Sequence, residues 1–196
     1  MSLINLIKNR RSIYHLNKST TLKEKEITNL VQDIVKYCPT AFNSQSARVV
    51  ILYNQNHQKF WQILKEKLQK IVDADSFIKT AQKIDSFAAG FATILYFEDQ
   101  NTISGLQEKY SLYKDNFPIW AEQSNGMLQF AIWTALSEHN IGASLQHYTP
   151  LIEKEVITEW KLPNTWKLIA QMPIGGISSP ADEKTFTPIE DRVLIF

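Results

Sequence analysis

Two short stretches carry side chains whose types and spacing suit ligand chemistry. Arg10-Arg11-Ser12 puts two guanidinium groups and a hydroxyl within three residues. Guanidinium donors match phosphate oxygens as a fork, so the triplet can hold a phosphate; a solvated basic turn is the plainer alternative. The second stretch is Ala41-Phe42-Asn43-Ser44-Gln45-Ser46-Ala47-Arg48, a polar loop running straight into Val49-Val50-Ile51-Leu52. Asn43 and Gln45 each offer a donor pair and an acceptor, held beside a strand. Such amides, alternating with backbone groups, satisfy the edge of a flat heterocycle such as a flavin, which presents carbonyls, one N–H donor and two ring-nitrogen acceptors. The same residues also make an ordinary strand-entry turn, in which Asn and Ser bond their own backbone.

Further positions leave comparable pairs of readings open. Gly142-Ala143-Ser144-Leu145 is small enough for backbone N–H groups to approach a planar ligand, or to form a helix C-cap and tight turn. His147 is a lone histidine, either a general acid or a hydrogen-bonded structural residue. Lys184 and Arg192 are isolated cations, either of which could complete a phosphate pocket. Tyr110, Tyr113, Phe117 and Trp120 suit an aromatic lid or plain core. There is no G-x-G-x-x-G after a strand, no Walker A loop, no H-E-x-x-H and no G-x-S-x-G elbow. No side-chain nucleophile, acid–base pair or metal site is therefore assigned.

The elements that must position these residues follow from periodicity and punctuation. Leu3 to Asn9 reads as a short helix ending before Arg10. Thr21 and Glu24 form a capping-box pattern before a helix with Ile27, Leu30, Val31, Ile34 and Val35 inward, stopping before Pro39. Val49–Tyr53 is a strand buried on both faces, followed by a helix over His57–Val72. A strand ends at Phe97, and a weaker helix covers Gly105–Tyr113. Pro118 to about His139 is a long helix, apolar almost all round over Met127–Leu136, hence a central core helix or a subunit interface. Thr149-Pro150 reads as an N-cap with proline at the first helical position, leading to Trp160. Trp166–Ile174 is a strand closed by Gly175-Gly176. The apolar tail Arg192–Phe196 suits a strand added to a sheet, this chain's or a partner's.

Chain-wide properties narrow the class. The 196 residues are 44% apolar, with five Trp, seven Tyr and ten Phe, enough for one domain with a sizeable core. A net charge of +1 argues against a broad nucleic-acid surface. The single Cys38 excludes an internal disulfide framework. The chain shows neither a signal-peptide pattern nor a bilayer-spanning run, so a soluble, reduced, cytoplasmic protein without membrane contact is expected. Strands interspersed with helices give an α+β or α/β layered domain, with some parallel pairing allowed by the long crossovers.

As a set, Arg10-Arg11-Ser12-Ile13, Pro39-Thr40-Ala41-Phe42-Asn43-Ser44-Gln45, Gly142-Ala143-Ser144-Leu145 and Met172-Pro173-Ile174-Gly175 resemble the flavin-dependent nitroreductase family. Lys83–Gly90, Asp115-Asn116-Phe117-Pro118, Gln123–Gln129 and Ser144–Tyr148 resemble its fatty-acid-repression-mutant branch in particular. The resemblance implies an α+β fold over residues 1–196, a central mixed sheet flanked by helices, in an intertwined homodimer with shared active sites. It implies bound FMN, with NAD(P)H as a transient reductant and a nitroaromatic or quinone as acceptor in a two-step exchange. Carried over by position, Arg10, Arg11 and Ser12 would grip the phosphate and ribityl chain, and Lys184 would be a second phosphate cation. Asn43 and Gln45 would reach the ring from the other subunit, and Ala143-Ser144-Leu145 would approach it near N5. The chain departs from the commoner pattern at Ser46-Ala47, where many members have Pro-Trp, and at Tyr14, where many have Lys or Arg. A flavin- or lipid-responsive regulatory protein with little turnover is the alternative from another class.

Overall fold

The computed structural model describes residues 2–196. Its organising element is the strand β3, Ala92–Asp99, in which every residue through Glu98 is buried. Apolar side chains point to both faces, so layers must cover the sheet on both sides. On one face Ile94 and Tyr96 meet Ile27 and Val31 of helix α2 (Glu24–Tyr37) and Leu128, Ile132 and Leu136 of helix α6 (Phe117–Glu138). On the other, Leu95 and Phe97 meet Phe60, Trp61 and Leu64 of α3 (Asn54–Gln69), Ile84 and Phe87 of α4 (Ala74–Ala88), and Val156 of α7 (Glu153–Glu159). Each such large side chain contributes about 2 kcal/mol by leaving water.

The remaining elements are α1 (Leu3–Asn9), α5 (Gln100–Lys109), β1 (Leu16–Asn17), β2 (Ala47–Tyr53), β4 (Gly142–Ala143) and β5 (Trp166–Ile177). The sheet order is β1-β5-β3-β2, with β4 also on β5, and every ladder is antiparallel. Parallel pairing, expected from the long crossovers, is confined among the described residues to an isolated bridge between Ser12 and Ala143. That bridge is central to the site.

Several expectations need correction. Helix α4 lacks any counterpart in the sequence reading; Asp73 caps it by accepting from the Ser76 N–H. The capping box sits two residues later than expected, with the Glu26 carboxylate accepting from the Lys23 N–H at 2.8 Å. Thr21 instead donates to the His139 carbonyl, tying the start of α2 to the end of α6. The helix expected over Gly105–Tyr113 begins at Gln100, capped by Asp99, and gives way to a single 3₁₀ turn at Ser111–Tyr113. Thr149-Pro150 is a cis peptide rather than a helix start, and α7 begins at Glu153. Gly175 and Gly176 lie inside β5 because β1 crosses so near that a Cβ at Gly175 would stand 2.4 Å from the Asn17 carbonyl.

Two other departures concern faces left open. β2 is an edge strand and only half-buried, not covered on both faces. α6 buries Leu128, Ile132 and Leu136 but leaves Met127 at 47% and Phe130 at 40% exposure, so it is not a fully enclosed core helix. The tail residues Val193 to Phe196 are exposed and add no strand to this chain's sheet. Among the described residues no helix is long and apolar enough to cross a membrane.

Candidate functional site

Arg10 is where α1 ends: its backbone is extended while its N–H still bonds back to Leu6. The chain then runs alongside β4, with the Ser12–Ala143 bridge and an Ile13 N–H to Ala143 carbonyl bond of 2.9 Å. Arg10, Arg11 and Ser12 thereby line a cleft of about 710 Å³ together with Lys184, and Asp182 and Glu183 line it as well. Cations far apart in sequence thus line one cleft, which Arg192 does not.

The arginines are unevenly satisfied. Arg11 donates to the Asp182 carbonyl, and the Arg10 guanidinium lies 4.1 Å from the centre of the Trp133 ring. Arg10 Nε is buried without a hydrogen-bond partner among the described residues. Burial, and then the charge of Arg11, push the Arg10 guanidinium below its ordinary pKa. A buried donor without an acceptor, beside a second like charge, is a site that an anion would relieve. The residues present therefore fit a phosphate group.

The amide loop is built differently. Ala41–Asn43 makes one 3₁₀ turn, and Phe42, Asn43 and Gln45 have φ of 55°, 49° and 48°. Left-handed backbone costs roughly 1–2 kcal/mol per non-glycine residue, so it must be held from outside. Thr40 Oγ1 accepts from the Gln45 N–H at 3.1 Å. Arg48 donates to the Gln45 carbonyl at 2.7 Å and to Asp99 at 2.9 Å, and Thr102 donates to that carboxylate as well. The side chains of Asn43 and Gln45 are exposed and make no hydrogen bond among the described residues. They are not the self-bonded turn residues of the plainer reading; the loop is braced by others and their amides are left open. Gln45 faces a cleft of about 730 Å³ between α2 and the free edge of β2.

Phe42 gathers the four aromatics whose role the sequence left undecided. Trp120 stacks on it at 5.7 Å and 15°, with Tyr110 at 5.1 Å, Phe117 at 5.3 Å and Tyr113 at 6.0 Å. This cluster flanks the loop and is separate from the two layers covering the sheet. The His147 side chain is exposed and makes no hydrogen bond among the described residues. Ser144 is buried, accepting from Gln146, while Gln171 Oε1 accepts from the Tyr148 N–H and its Nε2 is buried without a partner. Ala143 is buried and Leu145 half-buried on the same turn.

Beneath the loop lies a polar group that sequence reasoning missed. Glu98, 1% exposed at the end of β3, accepts from Asn125 at 2.7 Å, and Gln129 donates to Asn125 at 2.7 Å. A charged residue closing a run of apolar strand residues was the available signal; its partners on α6 were invisible without the tertiary fold. Arg10, Arg11, Ser12, Ala143 and Lys184 are brought together. Gln45 opens on a different cleft of the same chain, and Asn43 lies exposed two residues before it.

A sequence profile described as the nitroreductase family matches residues 7–176. The Saccharomyces cerevisiae nitroreductase-type protein HBN1 is 32% identical over 189 residues, covering 95% of this chain and 93% of its own. The nitroreductase FRM2 of the same yeast is 28% identical over 186 residues, covering 93% and 92%. Among solved structures, the nitroreductase CinD of Lactococcus lactis is 42% identical over the whole of both chains. Its TM-score is 0.91 in the complex with chloramphenicol and 0.92 in the complex with nicotinic acid.

Proposed function

The chain belongs to the nitroreductase family, in the branch of the yeast fatty-acid-repression-mutant protein, and from that premise we propose that it is an FMN-dependent oxidoreductase. The observation that carries this reading is the cation cleft, where Arg10 Nε is buried without an acceptor beside Arg11, Ser12 and Lys184. Bound there, FMN would supply the redox chemistry, taking reducing equivalents from NAD(P)H and passing them to a nitroaromatic or quinone in a second half-reaction. No side-chain acid or nucleophile is required.

The chain's own residues bind, orient and enclose. Arg10 and Arg11 neutralise the phosphate as forked donors, Ser12 adds a hydroxyl, and Lys184 supplies a point charge from the same cleft. Asn43 and Gln45 present fixed amides to the ring edge, and Ala143-Ser144-Leu145 brings small-residue backbone against it. The aromatic cluster around Phe42 offers flat faces for an aromatic acceptor, in keeping with the chloramphenicol and nicotinic acid complexes of CinD.

Gln45 and the cations open on different clefts of one chain, which favours a site shared between two copies of a single 196-residue domain. The exposed Met127 and Phe130, the open edge of β2 and the apolar tail from Val193 to Phe196 are surfaces such a cytoplasmic homodimer would cover. Anaerobic titration of the FMN-loaded protein with NADH and with NADPH tests the reading. Bleaching by either, reversed by a nitroaromatic or a quinone, is expected. Bound FMN that neither nicotinamide reduces would leave the regulatory reading, and a protein that takes up no FMN would overturn both.

A further inference from the structure

The amide loop rests on a buried acid with no charge partner. Glu98 Oε1 accepts from Asn125, whose amide also donates to the Phe97 carbonyl at 3.2 Å. Oε2 is buried without a hydrogen-bond partner among the described residues, and the Ser46 hydroxyl neighbours the carboxyl group. Every nearby cation is engaged elsewhere: Arg48 on β2 with Asp99, and Lys167, opposite Glu98 on β5, with Glu122 of α6 at 3.1 Å. A carboxylate here would be a buried charge facing an orphaned lone pair, a costly arrangement. A carboxylic acid would turn Oε2 into a donor, with Ser46 Oγ as its acceptor.

Donor direction then becomes continuous. Gln129 donates to Asn125, Asn125 to Glu98, Glu98 to Ser46, and the Ser46 hydroxyl faces Ser44 Oγ at 3.5 Å inside the loop. The Ser46 carbonyl meanwhile accepts from the Asp99 N–H at 3.0 Å, fixing the serine to the end of β3. We propose that protonated Glu98 is a positioning residue for the amide loop, closing a one-way hydrogen-bond chain from α6 that holds Asn43 and Gln45 in their left-handed conformations. The part concerning FMN rests on the function proposed above. Ser46, one of the positions where the chain leaves the commoner family pattern, is the point at which this brace attaches.

Electrostatics supports the same protonation state. Burial pushes the Glu98 carboxyl above its ordinary pKa and Glu122 adds to the rise, against the Ser46 hydroxyl, the Asn125 amide and the Arg48 charge. The braced loop binds the extra proton, so its order is full at acid pH. It is lost as pH rises through the elevated pKa of the folded state, above the ordinary 4.5.

Three variants separate this role from mere packing. Glu98→Gln copies the donor pattern of the protonated acid, whereas Glu98→Ala and Ser46→Ala each cut the chain. FMN affinity is measured against pH, and backbone hydrogen exchange at residues 43–46 is measured on FMN-free protein. Glu98→Gln is expected to bind FMN as the wild type does in acid and to lose the wild type's decline with pH. Glu98→Ala and Ser46→Ala are expected to bind about tenfold more weakly, the worth of one buried hydrogen bond. Binding by Glu98→Gln as weak as by Glu98→Ala, or the same pH profile in wild type and Glu98→Gln, would overturn the proposal. If the wild type takes up no FMN, the flavin reading fails by itself and exchange decides the rest. Protection at 43–46 in wild type and Glu98→Gln, but not in the other two, supports the brace; equal exchange in all four contradicts it.

Discussion

At the amide loop almost every neighbour is engaged: Thr40 with the Gln45 N–H, Arg48 with two carbonyls and Asp99, and Asn125 with Glu98. At the cation cleft Arg11 donates to the Asp182 carbonyl, but other donors are left open. Arg10 Nε has no acceptor, and Lys184, among the described residues, has no carboxylate within ion-pair distance, only the Phe186 ring at 5.2 Å. The contrast follows from what each region would recognise. A ring edge demands amides at fixed positions, which strained backbone supplies only when other residues clamp it. A phosphate demands uncommitted charge, which internal partners would consume. Loss of a cation should therefore strike ligand binding alone, whereas loss of a brace should strike binding and stability together.

The largest effect is expected at the cleft. Replacing Arg10 and Arg11 with alanine together should weaken FMN binding about a thousandfold, two charge-assisted hydrogen bonds at about 2 kcal/mol each. Thermal unfolding of the FMN-free variant should shift little, because removing a buried orphan donor offsets the lost Arg11 bond to the Asp182 carbonyl and the lost Arg10–Trp133 contact. A matching loss of apo stability would break the contrast.

Next comes a control outside both regions. His57 is buried between Thr93 Oγ1 at 2.8 Å and the Ala88 carbonyl at 3.1 Å, and burial lowers its pKa from 6.5 to about 4. Trp61 donates to Thr93 Oγ1, so the Thr93 hydroxyl donates to Nδ1 and the ring is neutral with its proton on Nε2. Between pH 6.5 and 4 the unfolded chain binds the proton that the folded chain refuses, so stability falls as pH drops through that window. The loss amounts to about 3 kcal/mol, readable in denaturant titrations at several pH values. Glu98 titrates in the opposite sense, which makes the two separable.

Smaller effects discriminate more finely. Arg48→Ala should cost about 1–2 kcal/mol of stability and, through the freed Gln45 carbonyl, weaken FMN as well. Calorimetry with and without FMN reads both losses, and a change confined to one of them would blur the distinction drawn here. Lys184→Ala should weaken FMN only about two- to fivefold, since an exposed ammonium contributes little, and should leave the melting temperature unchanged.

How far the sequence foretold this depended on whether the determinants were local. Asn9 and Tyr37 were readable as helix ends because Arg10 and Pro39 break the pattern next to them, and Trp166 marked the start of β5. Helix α4 was legible yet missed: Phe77, Ala81, Ile84 and Ala88 recur at helical spacing behind the Asp73 cap, a stripe overlooked beside the strand that follows it. The cation cleft was half legible: Arg10 and Arg11 are adjacent, while Lys184 is joined to them only by the fold. Glu98, Asn125 and Gln129 could not be read as a unit, because 27 residues separate the first two and only the packing of α6 on the sheet unites them. The openness of β2 and α6 was also hidden, since apolar sequence does not say which chain will cover it.

The central claim is that the two contrasting regions complete one FMN site across two copies of the chain. Mixed dimers decide it directly, by pairing an Arg10→Ala/Arg11→Ala chain with an Asn43→Ala/Gln45→Ala chain and counting tightly bound FMN. A site shared between chains predicts one intact site and one tightly bound FMN per mixed dimer, although each parent dimer binds weakly at both. Mixed dimers that hold FMN no better than the parents would contradict the account.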